Sequence, residues 1–552
     1  MDIEAMKNPS MAQESGAEFL VRAFEHLGLQ MVFGLPGSTM VPLMHSLKTS
    51  KGDFVPALHE ASAVAMADGY SRVKGIGAVM LYMLPGTANG LGNLYNAWRD
   101  ESPLLVVSSQ QKGPYRSHQR TVGEADTARM VEPFTRFAWE VRDRHQLTSS
   151  FDTAIKSMKG PPSGPSFIAV PEDVLAGSGP AGEISAAQHV TPGPPVDLFA
   201  LSDRLVEAVR PIVVVGGQVR RTGAVEGLEQ LVDQLALPVF IEPFWNDRLG
   251  ISPSHRCYLG PFTERSRMIR EADLVLAIGC RLFNEVHPLN EPWFASDAFV
   301  AHVNADSAKL ADGRGATWTC AAQPDVVIAA LNHAHLETRL DPSARDAREA
   351  RIADARARRE KRTPQPMGVA AAAVAHMLDR AWIVDESVSA NFHLAGAMQQ
   401  GRGEHFVSTT GGSLGWGTGA AAGVALASSE PVICFLGDGA FFFGLHGLWP
   451  AVARNLPITY VVLDNQGFGS TRYFEQEYVK SLPSGADAGF VGSDFRGAGP
   501  SVTAVAQGFG IRAETLDDPS DLPRALASRF DAPAGGPAVF TVRMPFDDGP
   551  GR

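Results

Sequence analysis

Short apolar runs alternate with amphipathic stretches along most of this chain. Met31–Gly34 and Gly77–Tyr82 have the length and composition of buried strands, and residues 211–217, 272–279 and 431–436 repeat that pattern. Apolar residues recur at helical spacing between these runs. Strands that alternate with helices through short loops predict parallel, doubly wound sheets, so the expected fold class is α/β.

Two regions place polar residues directly after predicted strands. The pattern predicts these elements in the first region: helices over residues 16–29 and 60–72, strands over 31–34, 54–58, 77–82 and 103–108, and a glycine-rich turn over 85–87 before a helix ending at Trp98. The second region is predicted as a strand over 431–436, one helix from Ala440 to Asn455, and a strand over 457–463. Parallel sheets bind ligands at the carboxyl ends of their strands, so both regions are candidates for function.

Changes in composition predict three α/β domains. Residues 12–181 form the first, up to a stretch rich in Gly, Pro and Ala, and residues 195–335 form the second. Residues 341–366 predict a solvated, charged linker helix because acidic residues interleave the basic ones. Residues 367–548 form the third domain. The Gly-Gly pair at 216–217 lacks G-x-G-x-x-G spacing and is therefore a weak indication of a bound dinucleotide.

Composition narrows the classes of function. The chain has 552 residues, 45% apolar and 20% charged, which is ordinary for a globular enzyme. Its formal charge of −12 provides no basic field for nucleic acid or anionic lipid, and no signal core or membrane-length apolar run is present. The four cysteines are scattered without CxxC spacing, which favours free buried thiols over disulfides or a zinc site. A reducing, cytoplasmic location is expected.

A Gly-Asp-Gly turn follows one predicted strand, and an Asp-Asn pair follows the next. The carboxylate of Asp438 and the side-chain oxygen of Asn465 are hard donors suited to Mg²⁺ or Ca²⁺, with coordination positions left for phosphate oxygens. Gly437 and Gly439 allow close backbone approach, and a helix from Ala440 would turn N–H groups toward an anion. A lone Gly-Asp-Gly is usually a tight turn, but this order of elements predicts a site for a metal-bound diphosphate.

The segment from Gly437 to Asn465 resembles the diphosphate and magnesium motif of the thiamine diphosphate enzymes, with 24 residues between Gly439 and Asp464. The resemblance covers nearly the whole chain and implies pyrimidine-binding, middle and diphosphate-binding domains. It implies that Asp438, Asn465 and the Gly467 carbonyl hold the metal. The remaining cofactor contacts that it implies are Gly439, Ala440, Phe468, the Ser389 hydroxyl toward the diphosphate, the Gly412 carbonyl toward the cofactor amino group, and Leu414 as the apolar prop that bends the cofactor. The alternative interpretation of Ser389 is a helix N-cap.

Glu60 opens a predicted Ala-rich helix. A carboxylate at a helix N-terminus usually complements the helix dipole. Val64, Ala65 and Ala67 are small enough for a partner face to pack closely and exclude water, which suits a carboxylate that relays a proton. The resemblance implies that Glu60 hydrogen-bonds the pyrimidine ring and thereby activates the thiazolium carbon. It also implies that a neighbouring chain holds the diphosphate, so a homodimer or homotetramer with active sites between chains is expected.

Within the family, the chain resembles most the decarboxylase and acetolactate synthase-like branch, and in it the benzoylformate decarboxylases. Three matches carry that similarity: residues 33–38, the helix with Gly86-Thr87 and Asn96-Ala97-Trp98, and residues 468–474. It implies that Ser38 contacts the substrate carboxylate, although a turn serine is an equally ordinary interpretation. The benzoylformate decarboxylases have two active-site histidines. Tyr82 occupies the position of the first histidine, and Val286 occupies the position of the second, with His287 next to it. Tyr82 and His287 are therefore the alternatives for a proton donor.

The predicted function is thiamine diphosphate- and Mg²⁺-dependent cleavage of a C–C bond next to a carbonyl, foremost decarboxylation of a small 2-oxo acid. The product can be protonated or can attack a second carbonyl, so an acetolactate synthase-like carboligase or a 2-hydroxyacyl lyase is the alternative. A cofactor-binding protein without turnover is disfavoured by the intact Glu60, Asp438 and Asn465. FAD in the middle domain is considered and not favoured. The substrate side chain stays open.

Overall fold

The computed structural model describes residues 13–115, 126–184, 198–242, 247–262, 266–282, 293–310, 315–360, 365–401, 403–482, 489–497, 499–532 and 535–546. Val286 and His287 lie outside these segments. The chain groups into two compact units. The first unit contains Met1–Val190, Gly411–Ser429 and Gly444–Leu456, and the second contains Thr191–Thr410, Glu430–Phe443 and Pro457–Arg552.

The described strands, in chain order, are β1 (Gln13–Ser15), β2 (Met31–Gly34), β3 (Asp53–Pro56), β4 (Gly77–Tyr82), β5 (Leu104–Gln110), β6 (Phe137–Glu140), β7 (Ser166–Pro171), β8 (Ser178–Pro180), β9 (Pro211–Val215), β10 (Val239–Ile241), β11 (Tyr258–Pro261), β12 (Leu274–Ile278), β13 (Phe299–Asn304), β14 (Trp318–Ala321), β15 (Trp382–Glu386), β16 (Phe406–Ser408), β17 (Val432–Gly437), β18 (Ile458–Asp464), β19 (Arg512–Leu516) and β20 (Ala538–Arg543).

The described α-helices are α1 (Gly16–His26), α2 (Val41–Leu47), α3 (Glu60–Lys74), α4 (Met83–Arg99), α5 (Thr127–Val131), α6 (Arg144–Lys159), α7 (Glu172–Ala176), α8 (Phe199–Glu207), α9 (Gln218–Arg221), α10 (Val225–Leu235), α11 (Arg267–Arg270), α12 (Ser307–Leu310), α13 (Pro324–His333), α14 (Pro342–Glu360), α15 (Pro366–Ala375), α16 (Asn391–Ala397), α17 (Gly417–Ser428), α18 (Asp438–Phe443), α19 (Leu448–Ala453), α20 (Gly469–Ser481), α21 (Val502–Gly508) and α22 (Leu522–Asp531). Short 3-10 helices include Ser38–Met40 and Leu445–Gly447.

Three six-stranded parallel sheets form the framework, which confirms the predicted α/β class. The first unit holds the sheet of order β3-β2-β4-β5-β7-β6. The second unit holds β11-β10-β9-β12-β13-β14 and β16-β15-β17-β18-β20-β19. The two sheets of the second unit share one apolar core, to which Val213 and Ile278 contribute from one sheet and Ile383 and Phe435 from the other. The predicted domain boundaries stay predictions.

The turn predicted over residues 85–87 is wrong, because these residues lie inside α4. The chain turns earlier, at Met83, which has a φ of 48°. Pro85 is accommodated in the first helical turn, where no backbone N–H is needed within the helix. Gly86 instead leaves room for a neighbouring side chain, since a Cβ there would lie 2.9 Å from Oε1 of Glu60.

The single helix predicted from Ala440 to Asn455 is also wrong. The helix begins at Asp438 and ends at Phe443, and a 3-10 turn and α19 follow. Thr418 Oγ1 donates to the Gly444 carbonyl at 2.5 Å and so takes an acceptor that a continuous helix would use. A Cβ on Gly447 would lie 2.5 Å from the same Thr418 oxygen, so glycine allows the close approach.

The charged helix α14 is not simply solvated, as its composition predicted. Arg348 and Ile352 on this helix are buried. The guanidinium of Arg348 donates to the carbonyls of Leu235, Leu205 and Ala208, at 2.9, 3.0 and 2.5 Å. These carbonyls lie at the ends of α10 and α8, where a helix leaves acceptors unpaired. The buried Arg348 therefore anchors this helix to other helices of the second unit.

Helices α3 and α17 pack almost backbone to backbone in the first unit. A Cβ on Gly69 would overlap the Ala420 carbonyl, and one on Gly423 would overlap the Met66 carbonyl. A Cβ on Gly419 would lie 2.8 Å from that of Ala65. Small residues on both helices thus allow the close packing that the composition of α3 predicted.

The polar groups at the carboxyl ends of the second sheet pair with one another. Gln218 donates to Asn304 at 3.0 Å, and Asn304 donates to the Cys280 carbonyl at 2.6 Å. Glu242 follows β10, is buried, and accepts from the Arg281 backbone N–H at 2.5 Å. Burial raises the pKa of Glu242 to about 7, although the Arg281 charge lowers it. The four free cysteines are buried, and no helix in the described segments is long and apolar enough to cross a membrane.

Replacement of Gly423 by alanine is expected to lower the free energy of unfolding by roughly 1–3 kcal/mol, because the added Cβ forces α3 and α17 apart. Urea unfolding measures this change. Gly396→Ala in α16 is the control, since a Cβ there meets no atom within 4 Å and alanine favours a helix. Equal stabilities of the two variants would show that the helix contact tolerates the methyl group.

Glu242→Gln is expected to change how stability depends on pH. Between pH 4.5 and about 7 the folded protein retains a proton that the unfolded chain releases, because the pKa of Glu242 is raised on folding. Wild-type stability should therefore fall as pH rises through that window, whereas the glutamine variant should lose this slope. At pH 8 the variant should be more stable on the order of 1–3 kcal/mol, and the difference should vanish below pH 4.5. Parallel pH profiles in urea titrations would contradict this account.

Candidate active site

Glu60 is the first residue of α3 and lies just beyond the carboxyl end of β3. Its side chain is buried, and Oε2 accepts a hydrogen bond from Asn89 Nδ2 at 3.1 Å. The described residues provide no hydrogen-bond partner for Oε1, which faces Gly86. One carboxylate oxygen is thus fixed by the protein, and the other is available to a ligand.

His59 directly precedes Glu60, and a second histidine, His446, contacts His59. His59 caps α3, since its ring Nδ1 accepts from the Ala61 backbone N–H at 3.1 Å. His446 stacks on this ring with 4.9 Å between centroids. Burial and the neighbouring His59 lower the pKa of His446. This pair was not predicted from the sequence, because nothing local in the sequence brings residue 446 to residue 59.

Ser38 and Tyr82 are brought together at the same edge of the first sheet. Ser38 follows the turn after β2, and Tyr82 ends β4. The Ser38 Oγ lies 3.4 Å from the Tyr82 hydroxyl. A Cβ on Gly37 would overlap the Tyr82 ring, so glycine lets the turn approach the tyrosine. The two predicted substrate-side residues therefore form one polar pair.

Gly412 and Leu414 lie in the loop before α17 and belong to the same unit as Glu60. Gly412 has a φ of 78°, which favours glycine. Its backbone is exposed, and the Leu414 side chain is partly buried. The loop therefore presents one bare carbonyl and one apolar side chain.

Asp438 and Asn465 lie at the carboxyl ends of β17 and β18 in the second unit. The two oxygens of Asp438 accept from the N–H groups of Gly439, at 2.8 Å, and Gly467, at 2.9 Å. Burial raises the pKa of Asp438 to about 7. The Oδ1 of Asn465 is buried and has no hydrogen-bond partner among the described residues. A buried oxygen without a partner is costly unless water or a cation satisfies it, and together with the Asp438 carboxylate at the end of the adjacent strand it forms a donor set that fits a hard divalent ion.

Arg472 supports this pair of loops and was missed from the sequence. Its guanidinium donates to the carbonyls of Asn465, Ser493 and Phe546, at 3.0, 2.9 and 2.8 Å. It thereby ties the Asn465 loop to the backbone at Ser493 and at Phe546. The signal was present, because Arg472 falls within the 468–474 motif, but its carbonyl partners are distant in sequence.

The remaining second-unit residues are also placed at strand ends. A Cβ on Gly439 would lie 2.7 Å from the Phe468 ring, so these two predicted cofactor contacts touch. Ala440 is buried one residue further along α18. Ser389 lies in the turn before α16, but Ala390 is the N-cap, so the N-cap interpretation of Ser389 is wrong. The described residues leave the Ser389 hydroxyl without a hydrogen-bond partner.

The turn that carries Ser389 is organised by Asp385. This buried carboxylate accepts from the Ser387 N–H at 3.0 Å, from the Ser387 hydroxyl at 2.6 Å, and from Asn391 Nδ2 at 2.5 Å. Burial raises the pKa of Asp385 above its ordinary value, although these hydrogen bonds offset part of that rise. Asp385 therefore fixes the shape of this turn through Ser387 and Asn391, and the described hydrogen bonds of Asp385 do not include Ser389.

Three domain models of one family match most of the chain. The N-terminal TPP binding domain of the thiamine pyrophosphate enzymes matches residues 14–130, the central domain matches residues 199–331, and the C-terminal TPP binding domain matches residues 389–542. The chain belongs to the thiamine pyrophosphate (thiamine diphosphate) enzyme family. The family and the enzyme class predicted from the sequence are thereby confirmed.

Individual relatives lie in the predicted branch. The chain is 29% identical over 503 residues to a benzoylformate decarboxylase of Pseudomonas aeruginosa, covering 88% of this chain and 91% of that protein. It is 25% identical over 563 residues to the acetolactate synthase large subunit of Parasynechococcus marenigrum, covering 96% and 87%. Among solved structures, benzoylformate decarboxylase from Polynucleobacter necessarius matches with a TM-score of 0.84 at 20% identity, over 97% of this chain and 99% of that one. A 4-hydroxybenzoylformate decarboxylase of Rhodococcus jostii RHA1 matches with a TM-score of 0.80 at 24% identity, over 97% and 100%.

Asp438→Asn is expected to weaken Mg²⁺-dependent binding of thiamine diphosphate about 100-fold, because it removes the charge and sets an amide N–H against a backbone N–H. Isothermal titration calorimetry with and without Mg²⁺ measures the effect. Asp464→Asn is the matched control, since this carboxylate accepts only from Gln466 N–H among the described contacts. If both variants lose the same affinity for the cofactor, the loss comes from removing a nearby negative charge and not from removing a metal ligand.

Proposed function

We propose that this protein is a thiamine diphosphate- and Mg²⁺-dependent decarboxylase of 2-oxo acids, with benzoylformate-like acids as the first substrates to test. The observation that carries this proposal is the buried, unpartnered Oδ1 of Asn465 beside the Asp438 carboxylate. The family matches and the benzoylformate decarboxylases among the relatives support it.

Asp438, Asn465 and the Gly467 carbonyl would hold the Mg²⁺ ion, with the diphosphate on its remaining positions. Gly437 leaves space for the diphosphate, because a Cβ there would meet no atom within 4 Å. The free hydroxyl of Ser389 would donate to it. Thiamine diphosphate supplies, when bound, a nucleophilic carbon and an electron sink that permit loss of CO₂ from a 2-oxo acid.

Glu60 would hold and move the proton that activates the cofactor. Asn89 fixes Oε2, so Oε1 is the oxygen that would meet the pyrimidine ring. Burial between helices excludes water from this carboxylate and strengthens any hydrogen bond that it makes. The Gly412 carbonyl and the Leu414 side chain would orient the same ring.

Ser38 would bind the substrate carboxylate, and Tyr82 would deliver a proton to the product. The 3.4 Å approach of their hydroxyls supports a shared role, since one group can orient the other. His287 lies outside the described residues and stays the alternative donor. A phenol in place of an imidazole favours a longer-lived carbon nucleophile, so carboligation is the second candidate activity, consistent with the acetolactate synthases among the relatives.

The assembly proposed from the family resemblance is a homodimer or homotetramer in which each active site takes residues from two chains. This assembly and the cytoplasmic location stay predictions.

The polar network of the second sheet gives no support for a bound FAD, because Gln218, Asn304 and the Cys280 carbonyl hydrogen-bond to one another.

Glu60→Gln is expected to lower kcat/KM for CO₂ release about 100- to 1000-fold, because an amide cannot relay the proton. Its affinity for the cofactor should change less than about fivefold, since the second unit holds the diphosphate. Glu172→Gln is the matched control, because Glu172 likewise begins a helix after a parallel strand of the same sheet.

Release of CO₂ and of free aldehyde is to be measured over a panel of aliphatic and aromatic 2-oxo acids. Unchanged turnover in Glu60→Gln would contradict the proton relay. If wild-type protein releases no CO₂ from any acid, decarboxylation is wrong. Formation of 2-hydroxy ketones in place of aldehyde would identify a carboligase.

A further inference from the structure

In the second unit, residues 489–497 form a segment that pairs with the loop carrying Asn465. Gly467 of that loop forms an antiparallel bridge with the segment, and a Cβ on Gly467 would overlap the Ser493 carbonyl. Because glycine is there, Ser493 lies directly against the residue whose carbonyl is the third predicted metal ligand. Arg472 donates to the carbonyls of both Asn465 and Ser493, at 3.0 and 2.9 Å, so one guanidinium holds the backbones of these two residues together.

Ser493 is buried in a segment whose other described residues are exposed or partly exposed. Its side chain is 1% exposed, whereas Val491, two residues earlier, is 85% exposed. A fold is stabilised by burying apolar side chains and leaving polar ones in water, and this segment has the reverse arrangement. The inward position of the serine therefore needs an explanation other than packing.

The Ser493 hydroxyl oxygen is buried and has no hydrogen-bond partner among the described residues, and the same holds for Oδ1 of Asn465. The backbone around these two side chains is paired, since Gly467 N–H donates to Asp438 at 2.9 Å and Phe468 N–H donates to the Ser493 carbonyl at 3.1 Å. Two buried oxygens on residues that Arg472 holds together are thus left over. Each of them costs stability until another group satisfies it.

We propose that Ser493 is a further binding residue of the Mg²⁺–diphosphate site, and that its hydroxyl is hydrogen-bonded only when the hydrated metal–diphosphate group is bound. This inference rests on the metal site of the proposed function. Asp438, Asn465 and the Gly467 carbonyl supply part of an octahedral set of oxygens and leave positions for diphosphate oxygens and water. A serine hydroxyl can donate to a phosphate oxygen or accept from such a water.

The position of Ser493 is then a compromise between stability and binding. A hydroxyl that is unpaired in the free protein destabilises the fold, and the same hydroxyl strengthens binding of the group that pairs with it. A serine with a purely structural role would behave in the opposite way, because its removal would lower stability. The sign of the stability change therefore separates the two roles.

Ser493→Ala tests this role. Without cofactor, the variant should unfold at a temperature about 1–3 °C above that of wild type, because an unpaired buried hydroxyl is removed. In isothermal titration calorimetry with Mg²⁺, thiamine diphosphate should bind about 10- to 100-fold more weakly. Inorganic diphosphate with Mg²⁺ should lose a similar factor, because the contact is with the diphosphate end of the cofactor and not with its rings.

Ser166→Ala is the matched control. Ser166 begins β7 in the first unit, where its hydroxyl is likewise buried and without a partner among the described residues. This variant should gain thermal stability in the same way but should bind thiamine diphosphate and inorganic diphosphate within about twofold of wild type. A loss of affinity equal to that of Ser493→Ala would show a general effect of removing a buried hydroxyl and would overturn the binding role.

The outcomes separate this inference from the proposed function. If wild-type protein binds neither ligand in the presence of Mg²⁺, both are overturned. If wild type binds them and Ser493→Ala binds equally well, or if the cofactor-free variant is less stable than wild type, only the role of Ser493 is overturned. If wild type releases no CO₂ from any 2-oxo acid but Ser493→Ala still loses affinity, decarboxylation is wrong and the binding role stands. Higher stability together with weaker binding supports the role of Ser493.

Discussion

The close contact between α3 and α17 is the constraint on which the first unit depends. Helix α3 begins at Glu60, and α17 begins just after the Gly412–Leu414 loop, so their packing fixes the position of Glu60 relative to this loop. Glycines on both helices permit this contact. A buried ion pair reinforces it, because Asp68 on α3 accepts from Arg72 at 2.8 Å and from the Trp416 indole N–H at 2.7 Å. Packing and buried electrostatics therefore act at the same interface.

In the second unit, hydrogen bonds between buried charged side chains and the backbone of loops hold Asp438 and the Asn465 loop in place. Both oxygens of Asp438 are engaged by backbone N–H groups, and Arg472 gathers three carbonyls around the neighbouring loop. Glu242 and Asp385 are likewise buried carboxylates at strand ends, and burial raises the pKa of both. Asp438 differs from them because the neighbouring Asn465 oxygen has no partner among the described residues. The proposed metal site rests on that unpartnered oxygen together with the Asp438 carboxylate.

Long-range hydrogen bonds account for most of what the sequence analysis missed. The helix after Asp438 ends early because Thr418 binds the Gly444 carbonyl, and α14 is anchored because Arg348 reaches three helix-end carbonyls. Neither partner is within a few residues of the element that it changes. Periodicity describes only neighbours along the chain, so it predicted an unbroken helix in the first case and a solvated one in the second.

The sequence by itself determined the strand runs, the three parallel sheets, and the residues at strand ends, because local apolar patterns and the Gly-Asp-Gly motif carry that information. Asp438 and Asn465 were predicted in this way, whereas the role of Glu60 was predicted from the family resemblance. Only the tertiary structure decided their surroundings: the stacking of His446 on His59, the pairing of Asn96 with Ser413, and the unpartnered oxygen of Asn465. Each depends on which distant backbone groups meet after folding, and a polar side chain in the sequence does not specify its partner.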